Sequence, residues 1–306
     1  MENVRAVIIG ASGQMGTALT NILSKQGIYC TGIDCQLPNL EDRRLWNGGD
    51  FRRRFILSDA TAPDNEVHRA VKSADVVIIA LSIELFRNTL LAIRDYINPS
   101  SLLVETLSVK LPPGAYTKLL PDGAEFLGIN PLFAPSLEWK DRPVLAVPHK
   151  DGPRSKEFLR SLAVSGAQFA TIQAKDHDKL LARRQGATHA AALALGALLQ
   201  NEQNLNMATN IPLAFGPPPY QLLLMVLARI LNSDPHIYAD IQTLNDNAST
   251  VREELRKALT KLDGSYEDVI DFIESMKSLK SPLLEVSNSS NALFRTPILS
   301  PLDLKT

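Results

Sequence analysis

Apolar positions in the first half of the chain fall in short β-branched runs separated by stretches of helical spacing. Val4 to Ile9, Ile28 to Ile33, Ala74 to Ala80, Leu102 to Glu105, Glu125 to Gly128 and Val144 to Val147 have strand length, while Met15 to Ser24 and Ile83 to Ile97 repeat apolar residues at helical intervals. This alternation predicts an α/β domain with a doubly wound parallel sheet, because parallel strands need helix-length crossovers. From about Ala174 the texture changes. Lys175 to Gln203, Pro218 to Asn232 and Thr250 to Ser278 are long, rich in Leu and Ala, and free of alternation, which predicts an all-helical half. The small-residue run Ala190 to Gly196 lets backbones approach closely, and a largely apolar helical half invites a second copy, so a homodimer is expected. The expected division is 1–174 for the α/β domain, 175–280 for the helical one and 281–306 for an irregular Ser-, Asn- and Pro-rich tail.

Composition narrows the partners. Among 306 residues, 32 Lys and Arg face 33 Asp and Glu, for a formal charge of −1, so the basic excess of a nucleic-acid binder is missing. No run of 18 apolar residues occurs and the first residues lead directly into a strand-like segment, so the expectation is a cytoplasmic protein with no membrane span. Two cysteines, Cys30 and Cys35, are too few for a disulfide scaffold or a zinc site. His177 and His189 are twelve residues apart on one predicted helix, about 18 Å along its axis, and cannot share a metal; none is expected.

The chemistry begins with Gly10, Ser12, Gly13, Gln14, Met15 and Gly16, a glycine-rich turn between the first strand and the first helix. Its early glycines permit a tight turn with backbone N–H groups open to a pyrophosphate, and Gly16 lets the helix sit close to the strand. Asp34 ends the second strand 24 residues beyond Gly10, where a carboxylate can accept from ribose hydroxyls and repel a 2′-phosphate. NAD is therefore favoured over NADP, against the nearby Arg43 and Arg44. A purely structural turn, with Asp34 as a turn-initiating carboxylate, is the plainer alternative.

Further candidates each carry two readings. Ser108 lies just past a strand end, at the edge where ligands collect in open α/β sheets, or it caps the next helical segment. Arg229 follows seven apolar residues, Leu222 to Ala228, on a helix that reads as buried all round; its guanidinium either needs a carboxylate partner or simply sits well near a helix C-terminus. Gln185 and His189, four residues apart, share a helix face, and His189 is either a pocket residue or a satisfied core histidine. His177 and Asp178 read as the start of that helix, and His68, His149 and His236 as solitary.

Taken together, Gly10 to Gly16, Leu107 to Lys110, Gly128 to Phe133, His177-Asp178, His189, Ala228 to Ile230, Ser233 to Pro235 and Tyr238 to Ile241 resemble the prephenate dehydrogenase family, over a span from Val4 to about Met276. The resemblance implies a Rossmann domain followed by a helical dimerisation domain, and hydride transfer from C4 of a cyclohexadiene dicarboxylate to NAD(P)⁺ with loss of CO₂. It implies Ser108 and His189 at the substrate and Arg229 on a substrate carboxylate, and Gln185, on the face of His189, is expected to bind substrate with them. One position departs from the pattern. Family members usually carry His in a G-x-H-P segment, where this chain has Asn130. An amide accepts a hydrogen bond but is no base near neutral pH. A C4 amine, whose lone pair can expel hydride without first losing a proton, suits it better than a hydroxyl. Glu105, Ala134 and Gln221, where tyrosine-pathway members often carry Asp, Gly and Arg, also point to an altered pocket. The expected substrate is 4-amino-4-deoxyprephenate. Prephenate or arogenate, and a non-catalytic nucleotide-sensing homologue, are the alternatives.

Overall fold

The computed structural model describes residues 4–39, 43, 46, 52–204, 215–284 and 286. The chain divides into two compact units after Lys179. The first contains, in order, β1 (Arg5–Ile9), α1 (Gln14–Ser24), β2 (Tyr29–Asp34), β3 (Arg53–Leu57), α2 (Asn65–Lys72), β4 (Val76–Ile79), α3 (Ile83–Ile93), β5 (Leu102–Glu105), β6 (Glu125–Pro131), β7 (Pro143–Lys150), α4 (Pro153–Ala163), β8 (Gln168–Thr171) and α5 (Ala174–Leu181). The strands form one sheet in the order β3-β2-β1-β4-β5-β6-β7-β8. The six from β3 to β6 run parallel, β7 is antiparallel to β6, and β8 is parallel to β7.

Helices cover both faces of this sheet, which explains the unbroken apolar runs of its strands. Ile8, Ile78, Val104 and Leu127 pack with Leu19, Leu23 and Phe158 on one face. Their strand neighbours Ile9, Ile79, Leu103 and Phe126 pack with Phe86 and Leu90 on the other, as the two-residue period of a strand requires. α2 starts where Asp64 accepts from the N–H groups of Glu66 and Val67. Such a cap is worth about 1 kcal/mol. The order of strands reverses direction between β1 and β4, and the crevice at such a switch point is where α/β sheets bind ligands.

The second unit is helical among its described residues. After a single π-turn (Ala182–Gly186) come α6 (Ala187–Asn204), α7 (Pro218–Leu231), α8 (Pro235–Thr243), α9 (Ala248–Leu259) and α10 (Tyr266–Ser275). Two long helices expected from periodicity are thus interrupted. The π-turn breaks the one from Lys175, and Gly264 with the Ser265–Asp268 capping box separates α9 from α10. α7 is not buried all round: Leu224, Leu227 and Ile230 are covered, while Leu223, Met225 and Leu231 are exposed. The apolar run that suggested full burial therefore serves one covered face and one open face in the single chain. The expected tail, 281–306, lies largely outside the described residues.

Candidate active site

The glycine turn joins β1 to α1. Gly10 has a φ of +84°, and its N–H and that of Ala11 donate to Ile33 O at 2.9 and 3.3 Å, folding the turn back over β2. A Cβ at Gly10 would meet Ala80 O at 2.4 Å, and one at Gly16 would meet Gly10 O at 2.2 Å. Only glycine lets α1 approach so closely. Gly13 caps α1 without a side-chain bond, and no acidic residue occupies the first turn. The N–H groups of Gln14 and Met15 and the positive end of the helix are thus available to an anion. Asp34 is tied to the turn: Oδ2 accepts from Ser12 N and Oδ1 from Gln36 N, both at 3.0 Å, while Ser12 Oγ donates to Gln36 O at 2.7 Å. These donors and this carboxylate fit the pyrophosphate and adenosine ribose of a dinucleotide. Arg43 Nε donates to Pro38 O at 2.9 Å, and Arg44 lies outside the described residues.

On the other side of the glycine turn along the same sheet edge, β5 and β6 end in a buried polar cluster. Glu105 Oε2 accepts from Lys110 Nζ and from Leu107 N, both at 2.7 Å, and its Oε1 lies 3.0 Å from His149 Nε2. Lys110 Nζ also donates to Ile129 O at 3.0 Å. Burial pulls the Lys110 amine below its ordinary value, opposed by the charges of Glu105 and Asp178. Asn130, 3% exposed, places Nδ2 3.0 Å from His177 Nε2, and His177 Nδ1 lies 2.8 Å from Asp178 Oδ1. Burial is the main cause that lowers His177 below 6.5. His149, expected to be solitary, is thus part of the cluster. His177 and Asp178, expected only to open a helix, meet Asn130 and the loop after β5.

Ser108 is half-buried on that loop, which is held by Leu107 N on Glu105 and by Lys110 N and Leu111 N on Asp178 at 2.9 and 3.0 Å. The next helical turn, Leu111–Gly114, is capped at Lys110, so Ser108 is not its cap.

The second unit holds the remaining candidates. Gln185 Oε1 and His189 Nδ1 are buried and have no partner among the described residues. Two unpaired buried polar atoms are costly unless a ligand or water completes them. Gln185 lies in the π-turn, so regular helical spacing does not relate it to His189. The His189 ring stands edge-on to Tyr238, with centroids 4.8 Å apart. Burial and then the Arg229 charge push His189 below 6.5. Arg229 itself is exposed in the last turn of α7, and no protein carboxylate pairs with it among the described residues. Sequence reasoning missed Tyr238 as a neighbour of His189, although the segment Tyr238 to Ile241 contributed to the resemblance.

A family profile described as "Prephenate dehydrogenase, dimerization domain" matches residues 173–278. The chain is 32% identical over 263 residues to a 4-amino-4-deoxyprephenate dehydrogenase of Streptomyces pristinaespiralis, covering 86% of this chain and 85% of that one. It is 26% identical over 258 residues to a probable arogenate/prephenate dehydrogenase of Methanocaldococcus jannaschii, covering 82% of this chain and 54% of the relative. Its fold is similar to the crystal structure of prephenate dehydrogenase from A. aeolicus in complex with hydroxyphenyl propionate and NAD⁺. That comparison gives a TM-score of 0.71 and 21% identity, with 94% of this chain and 99% of that chain covered. An eight-stranded, mostly parallel Rossmann-type sheet, a helical second unit and a relative at this identity lead to one conclusion: the chain belongs to the prephenate dehydrogenase family of dinucleotide-dependent oxidoreductases.

Proposed function

We propose that this protein oxidatively decarboxylates 4-amino-4-deoxyprephenate to 4-aminophenylpyruvate with NAD⁺. The observation that carries the reading is Asn130 at the end of β6, an amide where a base would serve a hydroxyl substrate. General-base assistance is worth about 10²–10⁴ in rate, and an amide forfeits it. A neutral C4 amine does not need it: as the C4 hydride leaves, the nitrogen lone pair forms a C=N bond, and breaking the C1–carboxylate bond returns that pair to nitrogen with release of CO₂ and aromatisation. The Streptomyces pristinaespiralis relative, named for this amino compound, supports the same choice.

The bound dinucleotide would supply the hydride acceptor. Gly10, Ser12, Gly13, Gln14, Met15 and Gly16 would hold its pyrophosphate, and Asp34 its ribose, favouring NAD. Asn130 would accept a hydrogen bond from the C4 amine, and the Ser108 hydroxyl would bond in the same region. Arg229 would bind a substrate carboxylate as a bidentate fork, with His189 and Gln185 completing its contacts. Residues 1–174 would form the cofactor domain, and 175–280 the substrate and dimerisation domain of a cytoplasmic homodimer. Among the described residues no helix is long and apolar enough to cross a membrane.

The test is purified protein with NAD⁺ and, in parallel, prephenate, arogenate and 4-amino-4-deoxyprephenate, following NADH absorbance. The amino compound should turn over with the highest kcat/KM. Prephenate or arogenate turning over at least as fast would overturn the substrate assignment, and NAD⁺ binding without any turnover would favour a sensing role.

A further inference from the structure

Among the described residues His177 is hydrogen-bonded to one residue of the proposed site, Asn130, and its surroundings favour a single protonation pattern. Asp178 accepts from Lys110 N at 2.9 Å on Oδ1 and from Leu111 N at 3.0 Å on Oδ2, and its Oδ1 lies 2.8 Å from His177 Nδ1. A carboxylate only accepts, so the ring proton resides on Nδ1. The side chain of His177 is fully buried. Burial and the Lys110 charge favour the neutral ring, against the opposing charges of Asp178 and Glu105. A neutral ring protonated on Nδ1 has a lone pair on Nε2, and the atom 3.0 Å from it is Asn130 Nδ2. The reverse amide orientation would set two lone pairs against each other. With Nδ2 engaged by His177, the remaining polar atom of the amide is Oδ1, which meets no hydrogen-bonding group among the described residues and is therefore left to a ligand.

We propose that His177 is a positioning residue: by accepting the Asn130 N–H it fixes the amide so that Oδ1 alone faces a ligand, making the site selective for a hydrogen-bond donor. This rests on the reading that Asn130 lies beside the reacting ring carbon. The chain Asp178–His177–Asn130 converts a side chain with two interchangeable ends into a fixed acceptor. A C4 amine presents N–H to that acceptor before hydride leaves and a positively charged C=N–H afterwards, so the bond strengthens as the reaction proceeds. Protonation of His177 would place a donor on Nε2, reverse the amide and offer N–H groups to the ligand. Activity should therefore fall on the acid side together with His177 neutrality.

The test uses the full chain with ¹⁵N-labelled histidine. There are five histidines. One should give the spectrum of a neutral ring protonated on Nδ1 from about pH 6 to about pH 8, and that signal should be absent from His177→Gln. Kinetics are measured with whichever ring compound the wild type oxidises fastest. His177→Leu, which offers no acceptor, should lose about tenfold in kcat/KM, the scale of one ordered hydrogen bond. His177→Gln, whose Oε1 can take the same N–H, should recover most of it, and NAD⁺ affinity by calorimetry should be equal in all three. A wild-type His177 protonated on Nε2 or charged over that range overturns the proposal, as does equal loss in the Leu and Gln variants. Should His177→Leu fail to fold, the wild-type spectrum decides alone. A preference for prephenate would overturn the substrate assignment yet leave both readouts of His177 intact, so the two failures are distinguishable.

Discussion

His177 and His189 both hold imidazoles whose charged form the fold disfavours, each lowered from 6.5 first by burial. An unfolded chain binds a proton at these rings near pH 6.5, whereas the folded chain does so only at lower pH, so stability falls as pH drops through that window. Thermal unfolding followed by circular dichroism should show a lower Tm at about pH 5.5 than at about pH 7.5, and a smaller difference in His177→Gln. A flat profile would count against neutral burial of either ring. At this scale Ser108 and Asp34 could be found by counting along the chain to strand ends, because residues there gather at one sheet edge, whereas Asn130 stood out only against the family resemblance. His177 was legible as a residue but not as a partner. Its contact with Asn130 joins positions 47 apart, and no local pattern encodes which carboxylate, lysine and amide will surround a buried ring.

At the scale of elements, the join between β1 and α1 is the most constrained part of the fold. Alanine normally stabilises a helix interior by about 0.8–1.0 kcal/mol relative to glycine. At Gly16 the added methyl would lie 2.2 Å from Gly10 O, a backbone atom of the turn itself. Gly16→Ala should therefore lower Tm and weaken NAD⁺ binding about tenfold, the scale of an overpacked contact, as read by calorimetry. Unchanged affinity would remove the turn from the cofactor site. The six runs read as strands all appear in the sheet, since burial on both faces makes them continuously apolar. β3 and β8 escaped notice for the opposite reason. β3 begins with Arg53-Arg54, and β8 is four residues long and largely exposed. The breaks among the later helices were hidden because Leu- and Ala-rich sequence has helical spacing on either side of a π-turn or a cap.

For the whole molecule, the second unit leaves large apolar side chains uncovered, among them Leu198, Met225, Leu231 and Tyr266, the last at 77% exposure. Monomers rarely expose much contiguous apolar surface. Sedimentation should show a species of twice the 33.6 kDa chain mass, and Met225→Asp with Leu231→Asp should shift it toward the single chain. A monomer at micromolar concentration would argue against self-association. The change of texture near Ala174 made the two-part organisation readable from composition alone, whereas a binding partner for an exposed helix face has no such signature. The first unit, by contrast, ends its sheet on polar ground. Arg54 on β3 pairs with Glu66 and Arg53 donates to Ser24 Oγ, while Gln168 and Thr171 of β8 are exposed. A bare strand offers unpaired N–H and C=O groups to any passing chain, and charged or short terminal strands discourage that pairing. The features that made β3 and β8 hard to recognise thus guard the protein against amyloid-like stacking when it is concentrated.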